Sequence, residues 1–411
     1  MPARVVGHGS SRPAQCRNGS RTADTRLADR GSSNKRRHDQ ANTIRGGTVP
    51  LYERERWVWP EADVLSDLHD FEHYVAIDNY CAWPNLTILP DGTIGALIFN
   101  RPSHGRVEGD IELWVSPDGR PPWTKRSAVT QHLPGTSRFN VAGGQGHDGV
   151  LVALVGGWLR PQTHPIRTDN LLDLWVCRSS DGGRTWDVTE TFTPPPGAGK
   201  FLPFGNVRVG QDGALYVSAH GCRMSGPEYT LRLNSNYIFR STDNGHHWDD
   251  ASLIGQDGFT ETDILQTADG QWLAACRTLS DYAQPDNPHG SPCVTLFRGD
   301  REARNWQQVI PLTLPSQHPG NLLQLNDGRI LFTCGNRVRG SYGVFARVSE
   351  DQGKTWAAPR ILVDGLLHIG RADCGYPSTV QLADGTLVTA YYAMGARHHQ
   401  NYHMAVLRWR L

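Results

Sequence analysis

Residues 349–356 read Ser349-Glu-Asp-Gln-Gly-Lys-Thr-Trp356, and this eight-residue pattern recurs along the chain. Similar copies lie at residues 179–186 and 241–248, and a degraded copy lies at residues 116–123. Each copy has Ser, then Asp two residues later and Trp seven residues later, directly after a short apolar run. Asp and Gly favour tight turns, and Trp buries a large ring. The pattern therefore predicts a strand that enters a tight turn, and we interpret it as structural.

The copies belong to a longer repeat. An Asp-Gly pair between two apolar runs predicts a β-hairpin, and such pairs recur at intervals of about 57 to 64 residues. They are Asp91-Gly92, Asp148-Gly149, Asp212-Gly213, Asp269-Gly270, Asp327-Gly328 and Asp384-Gly385. Sheet units of nearly constant length predict an all-β fold, a six-bladed β-propeller with four-stranded antiparallel blades. Residues 72–77 are expected to supply an outer strand to the last blade, because an open edge strand promotes aggregation.

Composition divides the chain into two parts. The 411 residues include 41 basic and 41 acidic side chains, so the formal net charge is zero. Residues 1–48 are basic, rich in Arg, Ser, Gly and Asn, and lack aliphatic clusters. Such a segment cannot bury enough apolar surface to fold, so we expect a disordered basic tail followed by one propeller domain at 49–411. The propeller part is mildly acidic, which argues against a nucleic-acid partner.

Targeting and metal-binding signals are absent from the sequence. Residues 1–48 contain no apolar core of a secretory signal, and no run approaches the ~18 apolar residues of a membrane span. The eight cysteines form no Cys-x-x-Cys pair, so neither a zinc ribbon nor a redox motif is indicated. We therefore expect a cytoplasmic protein without a membrane partner, a metal or a cofactor; the sequence does not define its oligomeric state.

The predicted architecture brings distant residues to one mouth of a central channel, where propellers bind ligands. The residues eight positions before each Asp-Gly pair should lie there: Trp83, Asn140, Phe204, Glu261, Pro319 and Tyr376. Neighbouring rim residues are Asn85, Asn206, Arg208, His318 and Asp373. Glu261 and Tyr376 can carry chemistry, because a carboxylate within hydrogen-bond reach can take the proton of a Tyr hydroxyl. The candidate substrate-binding residues of this rim are Trp83, Asn140, Asn206, Arg208 and His318.

Over residues 75–411 the chain resembles the sialidase superfamily, the Asp-box propeller glycosidases. Members carry a Glu before the first strand of one blade and an Arg that closes that hairpin, as Glu261 and Arg277 do. They also place a Tyr in a Gly-Tyr-Ser context before the last blade, and Gly375-Tyr376-Pro377-Ser378 is similar. A further Arg of the family corresponds to Arg337 or Arg339. The resemblance implies that Tyr376 is a nucleophile, that Glu261 is its base and that the arginines hold an anionic sugar group.

The resemblance also implies an acid/base carboxylate in a loop after the first hairpin. Glu108 aligns best and Asp110 is the alternative, and Arg101 at the start of this loop is a further candidate ligand. The chain departs from the family at Ala82-Trp83-Pro84, where sialidases have Arg-Ile-Pro. The Arg that helps to hold the sugar carboxylate is missing, so the resemblance implies a related site without defining the sugar.

The first hypothesis is a retaining, sialidase-like exo-glycoside hydrolase that acts on a terminal anionic sugar. A neutral Tyr nucleophile suits a substrate with a carboxylate beside the anomeric carbon, because a carboxylate nucleophile would be repelled. The second hypothesis is another propeller carbohydrate-active enzyme, either an arabinan- or uronate-acting hydrolase or a lyase with His318 as its base. The third is a non-catalytic propeller that binds glycans or proteins.

Overall fold

The computed structural model describes residues 63–64, 71–159, 170–222, 224–225, 228–229, 234–279, 292–338, 341–364, 373–394, 399 and 401–411. The tail predicted at residues 1–48 lies outside them. The described secondary structure consists of β-strands and one short 3-10 turn, His147–Gly149. Within these ranges no helix has the length and apolar character needed to cross a membrane.

The strands form where apolar residues alternate between turn signals. In chain order the first fourteen are β1 (Asp63–Val64), β2 (Glu72–Asp78), β3 (Ala82–Ile88), β4 (Ile94–Phe99), β5 (Ile111–Ser116), β6 (Thr124–Ala128), β7 (Thr136–Gln145), β8 (Leu151–Leu159), β9 (Trp175–Ser179), β10 (Asp187–Thr189), β11 (Lys200–Val209), β12 (Leu215–Cys222), β13 (Met224–Ser225) and β14 (Glu228–Tyr229). The others are β15 (Ser235–Ser241), β16 (Asp250–Gly255), β17 (Phe259–Gln266), β18 (Trp272–Thr278), β19 (Val294–Gly299), β20 (Gln307–Pro311), β21 (Gln317–Gln324), β22 (Ile330–Asn336), β23 (Gly343–Ser349), β24 (Arg360–Val363), β25 (Asp373–Gln381), β26 (Leu387–Met394) and β27 (His403–Trp409).

Antiparallel ladders of four strands are the building unit. Among the described residues they form three separate four-stranded sheets, a five-stranded sheet and an eight-stranded sheet, beside the small β13–β14 hairpin. The eight-stranded sheet contains two such ladders, joined by a single parallel pair between Asn206 and Gly143. In the five-stranded sheet, β1 pairs in parallel with the edge strand β24. Each ladder begins with the two strands that flank an Asp-Gly pair, which confirms the predicted hairpins.

The first and last parts of the described chain share one ladder. Strand β2 pairs antiparallel with β27, from Glu72 opposite Arg408 to Asp78 opposite His403. The order of this sheet is β2-β27-β26-β25, so β2 is its outermost strand. This confirms the expectation that residues 72–77 complete the last unit. The edge of β27 is thereby paired within the molecule.

The two turn motifs use carboxylates in the same way. In the hairpin turns, Asp384 accepts the N–H of Thr386 at 2.9 Å. In the eight-residue motif, Ser349 donates its hydroxyl to Asp351 at 2.9 Å, and Asp351 accepts the N–H of Thr355 at 2.8 Å. Equivalent bonds form in the copies at residues 179–186 and 241–248. The hydrogen bonds from Thr355 lower the pKa of Asp351 to about 2. These side chains therefore serve the turns.

The first strands of the ladders surround a shared interior. They contact one another in the order β3, β7, β11, β17, β21 and β25, and β25 contacts β3. Asp263 is fully buried among them and accepts the side-chain amide of Asn321 at 2.8 Å, the N–H of Leu322 at 2.8 Å and the N–H of Asn206 at 3.0 Å. One carboxylate thus links β11, β17 and β21. Apolar side chains fill the spaces between neighbouring ladders.

Candidate active site

Every one of these first strands is interrupted by a bulge at the same end. The pairing with the second strand shifts register between Ala82 and Asn85, Arg138 and Asn140, Phe204 and Arg208, Phe259 and Thr262, Gln317 and Gly320, and Gly375 and Ser378. A bulge removes a residue from the ladder and turns its side chain in a new direction. Trp83, Glu261 and Tyr376 lie inside three of these bulges. The rim positions predicted from the sequence are therefore the places where the ladders open.

Tyr376, Glu261 and Arg277 form one hydrogen-bonded group. The Tyr376 hydroxyl donates to Glu261 Oε1 at 2.6 Å. Arg277 Nη1 donates to the same carboxylate oxygen at 3.0 Å and to the Tyr376 hydroxyl at 3.4 Å. The side chains of Glu261 and Arg277 are only 17% and 20% exposed. The predicted nucleophile, base and arginine are thus in contact in a largely dehydrated place.

The charges of this group define its resting state. Burial raises the pKa of Tyr376, and the negative charge of Glu261 raises it further. Burial alone would raise the pKa of Glu261. The electrostatic effects of Arg277 and His220 and the hydrogen bond from Tyr376 outweigh burial and lower that pKa. Glu261 is therefore a carboxylate at neutral pH and Tyr376 is a phenol. This is the protonation state in which a carboxylate can accept the proton of a nucleophilic hydroxyl.

Arg337 lies beside Tyr376 and is held by three neighbours. Its Nε donates to the carbonyl oxygen of Cys374 at 2.7 Å, and its Nη2 donates to the Tyr392 hydroxyl at 2.6 Å. Nη1 lies 3.4 Å from His318 Nδ1. A guanidinium only donates, so His318 must accept with an unprotonated Nδ1. Burial, with the charges of Arg277 and Arg337, also lowers the pKa of His318. His318 is therefore neutral and serves to position Arg337.

The backbone is strained at two of these rim residues. Tyr376 has a φ of 52° and Trp83 has a φ of 44°. Bulky residues rarely adopt this left-handed region, which costs on the order of 1–3 kcal/mol and persists where the surrounding structure enforces it. Both rings belong to one aromatic cluster, since their centroids are 6.1 Å apart. Trp83 also contacts Phe99 and Phe139, and Tyr376 contacts Phe204 and Tyr392. The bulges thus bring aromatic faces beside the polar group.

The loop between β4 and β5 contains the predicted acid/base residues. Glu108 Oε2 lies 3.4 Å from His132 Nε2, and Asp110 Oδ2 lies 2.6 Å from His132 Nδ1. Asp110 also accepts the Thr130 hydroxyl at 2.9 Å. Arg101 closes the base of the loop, because its Nε donates to the carbonyl oxygen of Glu108 at 3.0 Å. Both carboxylates thus face His132, and their assignment to catalysis stays a prediction.

The other predicted ligands have different surroundings. Asn140 accepts the indole N–H of Trp158 at 3.3 Å. Asn206 and Arg208 belong to the buried network of Asp263, which Arg208 Nη2 reaches at 3.3 Å. These two residues therefore connect strands in the interior. Arg339 lies outside the described residues.

Three site residues have no counterpart in the sequence-based prediction: His104, His220 and Tyr392. His220 lies near Glu261 and is buried, which lowers its pKa to about 4. A simple signal would have found two of them. The residues eight positions after each Asp of the Asp-Gly pairs are Phe99, Gly156, His220, Arg277, Gly335 and Tyr392. Five of these six residues lie at or opposite the bulge of the first strand, and His220 pairs with Leu202, two residues before its bulge, so the column lies at the same end of the ladders.

The described residues offer no group of three or more His, Cys, Asp or Glu side chains arranged to hold a metal ion. The notable charged groups of the site are instead two guanidinium groups and two carboxylates. Arg277 faces Glu261, and Arg337 Nη2 lies 3.8 Å from Asp373 Oδ1. Burial would raise the pKa of Asp373, but His104 and Arg337 lower it to about 2. Asp373 is therefore ionised as well, and each guanidinium has a carboxylate neighbour.

Solved structures with a similar fold include several enzymes that act on sugars. An unknown-function protein from Dyadobacter fermentans is 21% identical, with a TM-score of 0.66, covering 82% of this chain and 98% of that one. Trypanosoma rangeli sialidase in complex with sialic acid is 13% identical, with a TM-score of 0.57, covering 81% and 54%. The GH93 α-L-arabinofuranosidase of Fusarium graminearum with arabinobiose is 14% identical, with a TM-score of 0.53, covering 82% and 96%. At these identities the similarity concerns the fold alone, and the chain matches about half the length of the Trypanosoma sialidase.

Sequence comparison gives a complementary result. No curated protein sequence matches the chain. The family profile described as a BNR repeat-like domain matches residues 92–389, which begin in the first hairpin turn and end in β26. The matched segment includes Glu261, Arg277, Arg337 and Tyr376. The match covers more than half of the chain and shows that the chain belongs to the BNR repeat-like domain family.

Proposed function

We propose that the four-stranded ladders are the six blades of a closed β-propeller. The cyclic contacts of the first strands and the pairing of β2 with β27 support this count. The eight-stranded sheet then consists of two adjacent blades that touch at the parallel pair between Asn206 and Gly143. The bulged ends of the first strands surround one mouth of the channel, which is the usual position of a propeller binding site.

We further propose that this mouth is the active site of a retaining exo-glycoside hydrolase that acts on a terminal anionic sugar. The observation that carries the proposal is the 2.6 Å hydrogen bond from the Tyr376 hydroxyl to Glu261. An isolated phenol is a poor nucleophile at neutral pH. A carboxylate that already accepts its proton makes attack on an anomeric carbon feasible.

The pKa directions constrain the order of events. Tyr376 has a raised pKa and Glu261 a lowered one, so a phenolate does not form before the reaction. The proton must move to Glu261 as the bond between the Tyr oxygen and the anomeric carbon forms, because that bond makes the hydroxyl proton strongly acidic. A covalent glycosyl-tyrosine then stands between two displacements, and the second displacement by water restores the original configuration.

Arg277 and Arg337 are suited to hold an anionic group on the sugar. Guanidinium groups bind carboxylates through paired hydrogen bonds, and partial burial strengthens the attraction. The Arg277 side chain is 20% exposed, and its hydrogen bonds to Glu261 and Tyr376 both come from Nη1, which leaves Nη2 free of a hydrogen bond among the described residues. Arg337 carries five N–H groups, of which its contacts with Cys374, Tyr392 and His318 use three. Both side chains therefore retain donors for a ligand.

A specific observation favours a different sugar over sialic acid. Ala82, which stands where sialidases have an Arg, is buried and carries no polar group. The adjacent rim position holds the Trp83 ring, which a neutral sugar face can stack against. The second candidate function is therefore an arabinan- or uronate-acting hydrolase or lyase on the same scaffold. Binding of a glycan without turnover is the third.

The test is a substrate panel applied to the purified full-length chain. Fluorogenic aryl sialosides, uronides and α-L-arabinofuranosides are incubated with the wild type and with Tyr376→Phe. We expect cleavage of at least one anionic glycoside, and a loss of roughly 10³-fold or more in kcat in the variant because the nucleophile is removed. Tyr216→Phe is the matched control, since Tyr216 also donates to a carboxylate, Asp212 at 2.9 Å, but lies away from the site.

The outcomes separate the candidates. Cleavage of the sialoside would show that Arg277 and Arg337 suffice without the third Arg. Cleavage only of uronides or arabinofuranosides would support the second candidate. Glycan binding without product, or full activity of Tyr376→Phe, would contradict the proposed nucleophile.

A further inference from the structure

The loop between β4 and β5 brings one more ionisable side chain to the site. His104 Nδ1 lies 3.2 Å from Asp373 Oδ2. The His104 ring lies 4.9 Å from the Trp83 ring and 6.3 Å from the Tyr392 ring, measured between centroids. Tyr376 contacts the same two rings, at 6.1 Å and 5.5 Å. His104 and the proposed nucleophile therefore border the same two aromatic side chains.

The surroundings of His104 suit a group that gains and loses a proton. Asp373 is 25% exposed and accepts the hydroxyls of Tyr392 and Tyr402, each at 3.0 Å. These bonds fix its carboxylate so that one oxygen faces His104 Nδ1. A carboxylate at Nδ1 selects the tautomer that leaves Nε2 available, and it stabilises the imidazolium when Nε2 is protonated. The His104 side chain is 48% exposed, so Nε2 can exchange protons with water.

The backbone holds this loop in place. Gly105 has a φ of 69°, and a Cβ at this position would lie 2.8 Å from the Phe139 ring. Its N–H donates to the carbonyl oxygen of Ser103 at 2.8 Å, and the N–H of Arg106 donates to the Ser103 hydroxyl at 3.2 Å. The turn that presents His104 is thus packed against the aromatic cluster of the site.

We propose that His104, positioned by Asp373, is the general acid and base of the reaction, in place of a loop carboxylate. The inference rests on the proposed hydrolase function. Glu108 and Asp110, the residues aligned with the family's acid/base, both face His132, and neither makes a described hydrogen bond or ion pair with Glu261, Tyr376 or Asp373.

The reaction takes place in two steps, and the protons given and taken balance over both. In the first step Tyr376 attacks the anomeric carbon and its proton passes to Glu261, while the bond to the leaving oxygen breaks and that oxygen takes the Nε2 proton of the His104 imidazolium. In the second step neutral His104 takes a proton from water as the water oxygen attacks the same carbon. The bond to Tyr376 breaks, and its oxygen recovers the proton from Glu261. The net change is hydrolysis, with no other reactant.

Leaving-group dependence tests the assignment. The purified full-length wild type, His104→Gln, Glu108→Gln and Asp110→Asn are compared on two glycosides of whichever sugar the wild type cleaves. One carries an activated aryl leaving group and the other an alkyl or sugar leaving group. We expect His104→Gln to lose roughly 10²- to 10³-fold in kcat/KM on the second substrate and less than about fivefold on the first, because only a poor leaving group needs an acid. Loss of His104 as the base should also slow the second step, in which water attacks the anomeric carbon. Azide is a nucleophile that needs no base, so added azide should restore turnover of the activated substrate.

Asp373→Asn tests the positioning role. The groups that face His104 are Asp373, Tyr392, Tyr402 and Trp83, with Arg337 behind Asp373. An amide no longer attracts the imidazolium, so donation of its proton to the leaving oxygen should be impaired. We therefore expect a loss in kcat/KM that is about tenfold or more larger on the poor substrate than on the activated one. A merely structural role would lower both rates equally.

The possible results lead to different conclusions. Equal losses of His104→Gln on both substrates, or leaving-group dependence in Glu108→Gln or Asp110→Asn instead, overturns the assignment while the proposed function stands. A wild type inactive on every glycoside overturns both. Unchanged melting temperatures of the variants show that the losses do not arise from misfolding.

Discussion

Glu261→Gln should destabilise the protein in a way that depends on pH. The substitution keeps the shape of the side chain but removes the charge that faces Arg277 at 3.0 Å. Leaving one partner of a fully buried ion pair uncompensated costs about 3–5 kcal/mol, whereas a fully exposed pair contributes about 0–1 kcal/mol. Side chains that are 17% and 20% exposed lie nearer the buried limit. We expect a loss of about 2–3 kcal/mol at neutral pH.

The pH dependence follows from the lowered pKa of Glu261. Its folded-state pKa lies below the ordinary value of 4.5. The carboxylate therefore stabilises the folded state fully above that value, and this stabilisation is lost as the pH falls and the unfolded chain takes up the proton. Each pH unit below the ordinary value removes up to ~1.4 kcal/mol. The difference in the free energy of unfolding between the wild type and Glu261→Gln should therefore be about half as large near pH 3.5 as at neutral pH.

The assay is thermal unfolding followed by Trp fluorescence at several pH values. For a domain of this size ~1 kcal/mol corresponds to a shift of about 1–2 °C, so we expect the variant to melt about 3–5 °C lower at neutral pH. Glu190→Gln is the matched control, because Glu190 is an exposed glutamate that accepts the indole N–H of Trp175 at 3.2 Å. A difference in melting temperature between the wild type and Glu261→Gln that stays constant from neutral pH down to about pH 3.5 would refute the reasoning.

Three further substitutions have defined outcomes. Asp263→Ala should lower the melting temperature more than any site variant. It leaves the side-chain amide of Asn321, the N–H of Leu322 and the guanidinium of Arg208 without their shared acceptor, at a cost of about 3–5 kcal/mol. A shift in melting temperature below about 2 °C would contradict this role. Gly105→Ala should slow turnover of glycosides with poor leaving groups by displacing His104, and an unchanged rate would show that the loop adapts. Asp351→Asn should reduce thermal stability at neutral pH but much less near pH 2, because the stabilisation that comes with the lowered pKa of Asp351 is lost as the pH falls towards about 2. An equal reduction at both pH values would show that the charge of Asp351 is not the source of the stabilisation.

The sequence predicted the ladders well because their determinants are local. An Asp-Gly pair requires a particular backbone turn, and its repetition at constant spacing places equivalent residues at equivalent positions. Glu261, Arg277 and Tyr376 could therefore be assigned to one site across distant parts of the chain. The pairing of β2 with β27 followed from the need to cover an edge strand.

The rest of the site depends on features without a local signature. His104 lies in a loop between hairpin strands, where no repeat fixes its direction, and its role becomes visible only through the distance to Asp373. The left-handed backbone at Tyr376 and Trp83 opposes the intrinsic preference of aromatic residues, so it is enforced by tertiary packing. Asn206 and Arg208 fit a rim pattern by position, yet the buried carboxylate of Asp263 directs them to the interior. The sequence patterns thus predicted which residues lie together better than they predicted the contacts that each of these residues makes.

The pairing of β2 with β27 has a consequence for the order in which the protein becomes functional. During synthesis Glu72 leaves the ribosome more than three hundred residues before its partner Arg408. Strand β2 is therefore without this partner while the intervening strands are synthesised. The sheet that it completes contains β25, which carries Tyr376, and β26, which carries Tyr392. Tyr376, the proposed nucleophile, thus lies in a sheet built from distant parts of the chain, and we expect this sheet to be complete only once residues 72–78 have paired with residues 403–408.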